Sequence, residues 1–182
     1  MATLAGRTRT ALLVVDVQRC VVAGAHDRDG TVSRIAGLVD RARAAEVPVV
    51  WVQHHDGGLP QGTDGWRIVD ELQPAAGEAV VHKSWNDSFE ETDLEEVFAA
   101  RSVGRLVVVG AQTEWCIRAT LHGAIARGYD AVLVADAHTT NDASPDMTAR
   151  SIVAMTNAYW TWHAAPGRSA GTAPAADVAF GD

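Results

Sequence analysis

Five short, mostly apolar runs recur along the chain, and they constrain its fold more than any other feature. The runs are rich in Val and Leu, and polar residues or a glycine follow each of them. In chain order they are residues 11–15, 49–52, 79–81, 106–109 and 130–135. Runs of this length and composition are typical of strands that are buried on both faces of a parallel sheet.

Helical patterns lie between these runs. In the segment after the first run, apolar residues recur at three- and four-residue spacing and predict an amphipathic helix that ends before Pro48; these residues are Val32, Ile35, Ala36, Val39 and Ala42. A shorter pattern over residues 66–72 predicts a helical piece that Pro74 closes.

Two further helices are predicted from their start signals. Thr92 and Glu95 have the spacing of a capping box, which predicts a helix over residues 93–101. Ser144 followed by Pro145 has the pattern of an N-cap with proline at the first helical position, and predicts a helix through about Trp160. Strands and helices therefore alternate, which predicts an α/β fold with a mainly parallel sheet between helices.

Composition limits the classes of function. The 182 residues, 47% of them hydrophobic, fit one domain with a sizeable core. A net charge of −8 without a basic cluster argues against nucleic acid or an anionic membrane as a partner. Two cysteines, Cys20 and Cys116, make no disulfide framework, and the first apolar run is too short for a signal or membrane segment. We therefore expect a cytoplasmic protein.

Three chemically useful side chains stand at or just past the ends of separate predicted strands: Asp16, Lys83 and Cys116. Right-handed crossovers bring the carboxyl ends of parallel strands to one edge of the sheet, where ligands bind. Each residue also has an ordinary interpretation, namely a turn aspartate, a solvated lysine and a buried cysteine. The segment after the first strand lacks the Gly-rich loop that nucleotide binding requires.

Cys116 follows a predicted helix start. Thr113 can act as an N-cap and Glu114 suits the positive helix end, so that Cys116 occupies the third helical position. Unpaired N–H groups and the helix dipole there favour the thiolate over a free thiol of pKa about 8.5. A small buried residue packed on the sheet explains the same pattern, and the segment alone leaves both possibilities open.

The chain resembles the isochorismatase-like cysteine hydrolase superfamily. The resemblance extends over nearly the whole chain, through segments that keep the family's order and spacing: ALLVVDVQ, WVQHH, GWRIVDEL, VVHKSWNDSF, VVVGAQTEWCIRAT and GYDAVLVADAHTT. It implies a single domain over residues 1–182, with a Rossmann-like three-layer α/β/α sandwich around a mainly parallel six-stranded sheet. The last strand, within residues 169–180, is the weakest match.

The resemblance also implies a site and a mechanism. The family's aspartate, lysine and cysteine fall on Asp16, Lys83 and Cys116 as a catalytic triad. A cis peptide would join Ala111 to Gln112, and backbone N–H groups of Gln112 and Cys116 would form the oxyanion hole. The expected reaction is hydrolysis of a small-molecule amide-type bond through a thioester, in a homo-oligomer (a dimer or a tetramer).

A catalytic metal is not expected. Nicotinamidases of this superfamily carry an Asp-x-His metal motif after the second strand, where this chain has Gln53, His54, His55 and Asp56. Adjacent histidines on an extended segment point to opposite faces and do not share one metal site. The sequence therefore predicts a hydrolase without a metal or another cofactor.

Within the superfamily, GAQTEWC and DAHTT resemble most closely a subgroup that includes streptothricin hydrolase. We expect five further side chains to contact a small planar or cyclic amide: Gln18, His54, Trp85, Phe89 and Trp115. Core packing explains Phe89 and Trp115 equally well, and Gln18 also fits a structural role. Two alternatives stay open, an isochorismatase-type hydrolase of vinyl ethers and a non-catalytic small-molecule-binding protein on the same fold.

Overall fold

A computed structural model describes residues 4–180, so the first three and last two residues of the predicted domain lie outside the described part. Six strands form one sheet in the order β3-β2-β1-β4-β5-β6, and each neighbouring pair is parallel. The strands are β1 (Arg9–Val15), β2 (Val49–His54), β3 (Ala79–Lys83), β4 (Val103–Ala111), β5 (Asp130–Thr139) and β6 (Ala170–Ala173).

Helices connect the strands except between β2 and β3, where the chain is a loop, and between β5 and β6 a single helix is followed by a turn. The helices are α1 (Arg19–Val22), α2 (Arg28–Ala44), α3 (Leu94–Ala99), α4 (Arg118–Arg127) and α5 (Ala149–Thr161). A π-helical turn (Thr113–Ile117) precedes α4, and a 3-10 turn (Ala175–Asp177) follows β6. The predicted α/β architecture is thus confirmed, including the last strand.

Two apolar layers cover the faces of the sheet. Along β1, Leu13 and Val15 point to one layer, whereas Leu12 and Val14 point to the other. The apolar side of α2 packs on the Leu12 face, and side chains of α3, α4 and α5 pack on the Leu13 face. Continuous Val- and Leu-rich strands occur here because both faces of the sheet are buried.

Gly110 allows the central strands β1 and β4 to pair closely at the end where the polar residues stand. It pairs in register with Val15 and has a φ of 123°. A Cβ on this residue would lie 2.0 Å from the carbonyl oxygen of Val15. Only glycine fits this backbone conformation and this contact.

The segment over residues 66–72 is not helical, which corrects one prediction. Its apolar residues are buried because the loop runs across the end of the sheet: Ile68 forms an isolated antiparallel bridge with Gln18, and Val69 donates its N–H to the carbonyl of Val17 at 3.1 Å. Val69 and Leu72 then join the apolar layer beneath α2.

Both predicted helix starts are displaced in the structure. Helix α3 begins at Leu94, one residue later than predicted, and the Thr92 hydroxyl accepts from the N–H of Leu94 at 3.3 Å while it donates to the carbonyl of Ser88 at 2.7 Å. The predicted capping box is only half formed, because the Glu95 carboxylate binds Arg7 and Tyr129. Ser144 lies in a turn, where it bridges to Met147.

Helix α5 therefore starts later than predicted. Its first residue is Ala149, and its N-cap is Thr148, whose hydroxyl accepts from the N–H of Ser151 at 3.2 Å.

Candidate active site

The three predicted catalytic side chains converge at the carboxyl edge of the sheet. Asp16 is the first residue after β1 and takes a left-handed φ of 50°, a conformation that aspartate tolerates better than most residues. Lys83 is the last residue of β3, and Cys116 lies in the π-helical turn after β4. Asp16 and Lys83 are each 1% exposed and Cys116 is 9% exposed.

The Lys83 ammonium lies at the centre of this group. Its Nζ is 2.7 Å from Asp16 Oδ2 and 3.1 Å from Cys116 Sγ. Nζ also donates to the carbonyl of Trp85 at 3.0 Å and contacts His54 Nδ1 at 3.4 Å. Burial lowers the pKa of Lys83, but the adjacent charge of Asp16, together with the contact to Cys116, outweighs this effect and leaves that pKa raised. The lysine is therefore a cation throughout the neutral pH range.

The surroundings of Cys116 favour the thiol over the thiolate, opposite to the effect of a helix start alone. Burial raises the pKa of Cys116 to about 12, the Asp16 carboxylate adds to the rise, and Lys83 opposes it. The free-energy cost of removing a thiolate from water exceeds the stabilisation that one cation and one helix end provide. A neighbouring base has to remove the proton before the sulfur can attack.

Asp16 has an oxygen available for that role. Its Oδ2 forms the ion pair with Lys83 at an angle outside hydrogen-bond geometry, and its Oδ1 has no hydrogen-bond partner within residues 4–180. Buried carboxylate oxygens are normally paired. An unpaired one beside a thiol suits a proton acceptor.

The turn that carries Cys116 differs from the predicted helix start. The N–H of Ile117 donates to the carbonyl of Gln112 at 3.1 Å, an i→i−5 bond that widens the turn. The peptide bond between Ala111 and Gln112 is cis, as the family resemblance implied. Thr113 is therefore the first residue of the turn and not its cap.

Thr113 instead joins a buried hydrogen-bond network with β5 and α5. It contacts His138 Nδ1 at 2.9 Å, His138 Nε2 contacts Asn157 Oδ1 at 3.0 Å, and the amide of Asn157 donates to the carbonyl of Ala135 at 2.8 Å. Burial lowers the pKa of His138 to about 4, so that the ring is neutral. The hydroxyl then donates to Nδ1, and Nε2–H donates to Asn157. This network fixes the turn from behind.

A cavity of about 250 Å³ opens above the triad. Its lining includes Asp16, Val21, His54, Asn86, Gln112, Trp115 and Cys116. Of the predicted pocket residues, His54 and Trp115 line it, and so does Gln112, the predicted oxyanion-hole residue. Asn86 was not predicted; its Oδ1 lies 3.9 Å from Cys116 Sγ. Its position three residues after Lys83 was the signal available in the sequence.

Three of the predicted substrate contacts are absent from this lining. Gln18 is fully buried and uses its amide on the backbone of His54 and Trp66. Phe89 packs against Phe98 and Tyr129 in the core.

Trp85 also lies outside the cavity lining. Its half-exposed indole donates to Glu91 at 2.9 Å, so that residue 85 reaches the site through its carbonyl.

Neither His54, the last residue of β2, nor His55, which follows it, faces a set of metal ligands. Within the described part of the chain, no three His, Cys, Asp or Glu residues come together as a metal site. His54 contacts Asp56 and Lys83, whereas the ring of His55 lies 3.4 Å from the hydroxyl of Ser84. The absence of a catalytic metal stays a prediction.

Residues 10–164 match the family model described as the Isochorismatase domain. The chain belongs to this family. A streptothricin hydrolase of Streptomyces noursei is 36% identical over 162 aligned positions, with 84% of this chain and 58% of that hydrolase covered. This family member thus spans less than two thirds of the length of that relative.

Two other similar proteins are matched over a larger share of their own length. A ureidoacrylate amidohydrolase of Methylobacterium radiotolerans is 30% identical over 195 aligned positions, with 84% of this chain and 75% of that protein covered. The crystal structure of a cysteine hydrolase from Pseudomonas syringae superposes with a TM-score of 0.85 over 97% of this family member and 94% of that chain. Its 22% identity makes it a likeness of fold.

The helices over residues 4–180 include none that is both long and apolar enough to cross a membrane.

Proposed function

We propose that this chain is a cysteine-dependent hydrolase of a small-molecule C–N bond, in an amide, a ureide or a lactam, with Asp16, Lys83 and Cys116 as its catalytic residues. The observation that carries the proposal is the position of Lys83 Nζ, 2.7 Å from Asp16 Oδ2 and 3.1 Å from Cys116 Sγ beside a cavity. A buried cation between a carboxylate and a thiol suits nucleophilic acyl transfer.

In the first half of the proposed reaction, Asp16 removes the proton of Cys116 as Sγ attacks the substrate carbonyl carbon. Lys83 stabilises the developing thiolate, which offsets the cost of burying it. The negative charge that passes to the carbonyl oxygen is met by backbone N–H groups of Gln112 and Cys116. The C–N bond then breaks, the leaving nitrogen takes the proton from Asp16, and the acyl group stays on sulfur as a thioester.

In the second half, Asp16 removes a proton from water, whose oxygen attacks the thioester carbonyl. The C–S bond breaks and the sulfur leaves as a thiolate, which takes the proton back from Asp16. One water is consumed and the carboxylate and thiol return to their resting states. The raised pKa of Cys116 favours this recovery of the neutral thiol.

Two observations support a small amide-type substrate. The cavity of about 250 Å³ has room for a small molecule, and the indole of Trp115 contributes a flat apolar wall. Relatives that are similar along most of this chain are named for hydrolysis of streptothricin and of ureidoacrylate. From these relatives we infer for this chain only the class of reaction, hydrolysis of a C–N bond, and no particular substrate.

The test is a panel of small amides, ureides and lactams assayed with wild type, Cys116→Ala and Cys20→Ala. Removing the nucleophile should lower kcat by at least about 1,000-fold, since residues of a triad act as a unit. The Cys20 variant should keep wild-type kcat because Cys20 is an exposed residue outside the cavity lining.

Other outcomes of the same panel contradict the proposal. Full turnover of an amide by Cys116→Ala would exclude the thioester route. Hydrolysis of a vinyl ether that survives the Cys116 substitution would favour isochorismatase-type chemistry. Binding of panel compounds without turnover by wild type would favour a non-catalytic binding protein.

We further propose that the chain forms a homo-oligomer. Helix α5 and the residue after it carry large apolar side chains at the surface: Met155 is 70% exposed and Trp162 is 85% exposed. Exposed apolar side chains that cluster on one element are typical of protein interfaces.

A further inference from the structure

His54 is held in place more firmly than contact with a substrate requires. In the sheet it is the register partner of Lys83. The amide of Gln18 pairs with its backbone as a peptide would: the N–H of His54 donates to Gln18 Oε1 at 2.8 Å, and Gln18 Nε2 donates to the His54 carbonyl at 2.9 Å. Gln18 itself is fully buried.

The ring of His54 is oriented by Asp56. His54 Nε2 lies 3.2 Å from Asp56 Oδ2, and Asp56 Oδ1 accepts from the N–H groups of Gly58 and Leu59, each at 2.8 Å. The bond from His54, with help from these two amides, lowers the pKa of Asp56 and keeps its carboxylate ionised. The backbone of residues 58 and 59 thus holds the carboxylate in place, and the carboxylate orients the ring of His54.

The tautomer of His54 follows from its two neighbours. A lysine ammonium can only donate, so the contact of Lys83 Nζ with His54 Nδ1 requires a lone pair on Nδ1. The ring proton is then on Nε2, where Asp56 accepts it. The side chain presents a neutral acceptor to the ammonium.

Three hydrogen-bond acceptors around Lys83 match its three N–H groups. They are the Trp85 carbonyl, Cys116 Sγ and His54 Nδ1, whereas Asp16 Oδ2 meets Nζ as an ion pair outside hydrogen-bond geometry. The bonds to the carbonyl and to Nδ1 fix the rotation of the ammonium, which leaves its remaining N–H directed at Sγ. A neutral thiol is a weak acceptor, so His54 contributes more than the sulfur to this orientation before the thiolate forms.

We infer that His54 is a positioning residue for Lys83: its neutral ring, oriented by Asp56, binds one N–H of the ammonium and thereby keeps another N–H directed at Cys116, where it meets the thiolate as it forms. This inference rests on the proposed function and adds a role to His54 other than substrate contact. Without the acceptor, the buried N–H loses its partner in the resting site and the ammonium shifts away from the sulfur.

The first test compares His54→Leu with His54→Asn in the full chain, on the substrate that the panel shows to be hydrolysed fastest. His54→Leu should lower kcat by about 10-fold with KM unchanged, as expected for a displaced catalytic group. His54→Asn should recover most of the loss, because its Oδ1 lies near the position of Nδ1 and accepts a hydrogen bond. His55→Leu is the matched control and should leave kcat unchanged.

A second test inverts the tautomer and keeps the turn. Asp56→Asn retains one oxygen for the amides of Gly58 and Leu59 but turns an NH₂ donor toward His54 Nε2, which moves the ring proton to Nδ1. We expect a fall in kcat similar to that of His54→Leu, and no further fall when both substitutions are combined. Additive losses would show that Asp56 does not act through His54.

A third measurement needs no substrate. In a Cys20→Ser background, His54→Leu should slow alkylation of Cys116 by iodoacetamide about 10-fold at pH 8, since a displaced cation stabilises the thiolate less. His54→Asn should alkylate at nearly the wild-type rate. An unchanged circular dichroism spectrum and Tm exclude a folding defect.

The outcomes separate this inference from the proposed function. A raised KM with full kcat in His54→Leu would make His54 a substrate contact, and full kcat and KM would leave it without a role; either result overturns the inference. If Cys116→Ala keeps full amide turnover, the proposed function fails instead. If Cys116→Ala is inactive and His54→Leu is fully active, this inference alone fails.

Discussion

At the residue scale, the surroundings of Cys116, the proposed nucleophile, favour its neutral thiol. Burial and the Asp16 carboxylate raise the pKa of Cys116, and in the proposed mechanism the same carboxylate is the base that takes its proton. A buried thiol is less exposed to oxidation and adventitious alkylation than a permanent thiolate. Reactivity then depends on Asp16 and Lys83 acting together on the same sulfur.

The pH dependence of alkylation tests this arrangement. In a Cys20→Ser background, the rate of Cys116 alkylation by iodoacetamide should still rise with pH above 9, because the pKa of Cys116 is raised to about 12. Asp16→Asn removes the nearby negative charge, so it should lower that pKa and speed alkylation at pH 8.

The control is Asp40→Asn, which removes an exposed carboxylate from α2. It should not change the rate. A rate that levels off near pH 7 in the wild type, or slower alkylation in Asp16→Asn, would contradict a resting thiol.

The triad could be placed from the sequence because parallel strands bring their carboxyl ends together, wherever the residues stand in the chain. Asn86 and the pair of His138 and Asn157 could not be placed in the same way. Asn86 follows a strand end inside an irregular loop. Asn157 reaches the site from α5, and no local pattern specifies which helix face lies behind the turn at Thr113.

At the scale of elements, the close pairing of β1 and β4 determines where Asp16 and Cys116 meet. Val15 and Gly110 are register partners; Val15 directly precedes Asp16, and Gly110 lies two residues before the Gln112 peptide that leads into the turn of Cys116. The absence of a side chain at residue 110 therefore allows the strands that carry Asp16 and Cys116 to pair up to their carboxyl ends.

Gly110→Ala should destabilise the protein by about 3 kcal/mol or more, because the added Cβ meets the Val15 carbonyl and the positive φ is unfavourable for alanine. Urea denaturation followed by circular dichroism measures the change. The matched control is Gly37→Ala in α2, where a Cβ has nothing within 4 Å. That substitution should stabilise the helix by about 0.5–1 kcal/mol. Equal effects of the two changes would contradict the role of Gly110.

Strands were predicted better than helix starts for a physical reason. A strand buried on both faces requires a continuous apolar run, which local sequence shows directly. A capping residue has competing partners that only the fold supplies: Arg7 and Tyr129 bind the Glu95 carboxylate that the capping box would direct at the backbone of Thr92. In residues 66–72, apolar residues recur at helical spacing because Val69 and Leu72 are buried beneath α2, although the segment is not a helix.

At the scale of the whole molecule, we expect an assembly of at least two chains. Sedimentation equilibrium should give a mass above that of one chain, and Trp162→Asp should shift it downward if the exposed end of α5 takes part in the contact. A monomer at micromolar concentration would contradict the expected homo-oligomer. Because the net charge is −8, the measurement belongs at physiological salt, where repulsion between chains is screened.

The order of the strands places Lys83 on the edge strand β3, while Asp16 and Cys116 follow the central strands β1 and β4. Edge strands open locally at lower free energy than central ones. The proposed nucleophile and base thus follow the strands that open at the highest free energy. The lysine that lies between them belongs to a strand that opens more easily. Divergence at β3 and its flanking loops can therefore retune the sulfur's reactivity among descendants of this chain while the nucleophile itself stays fixed.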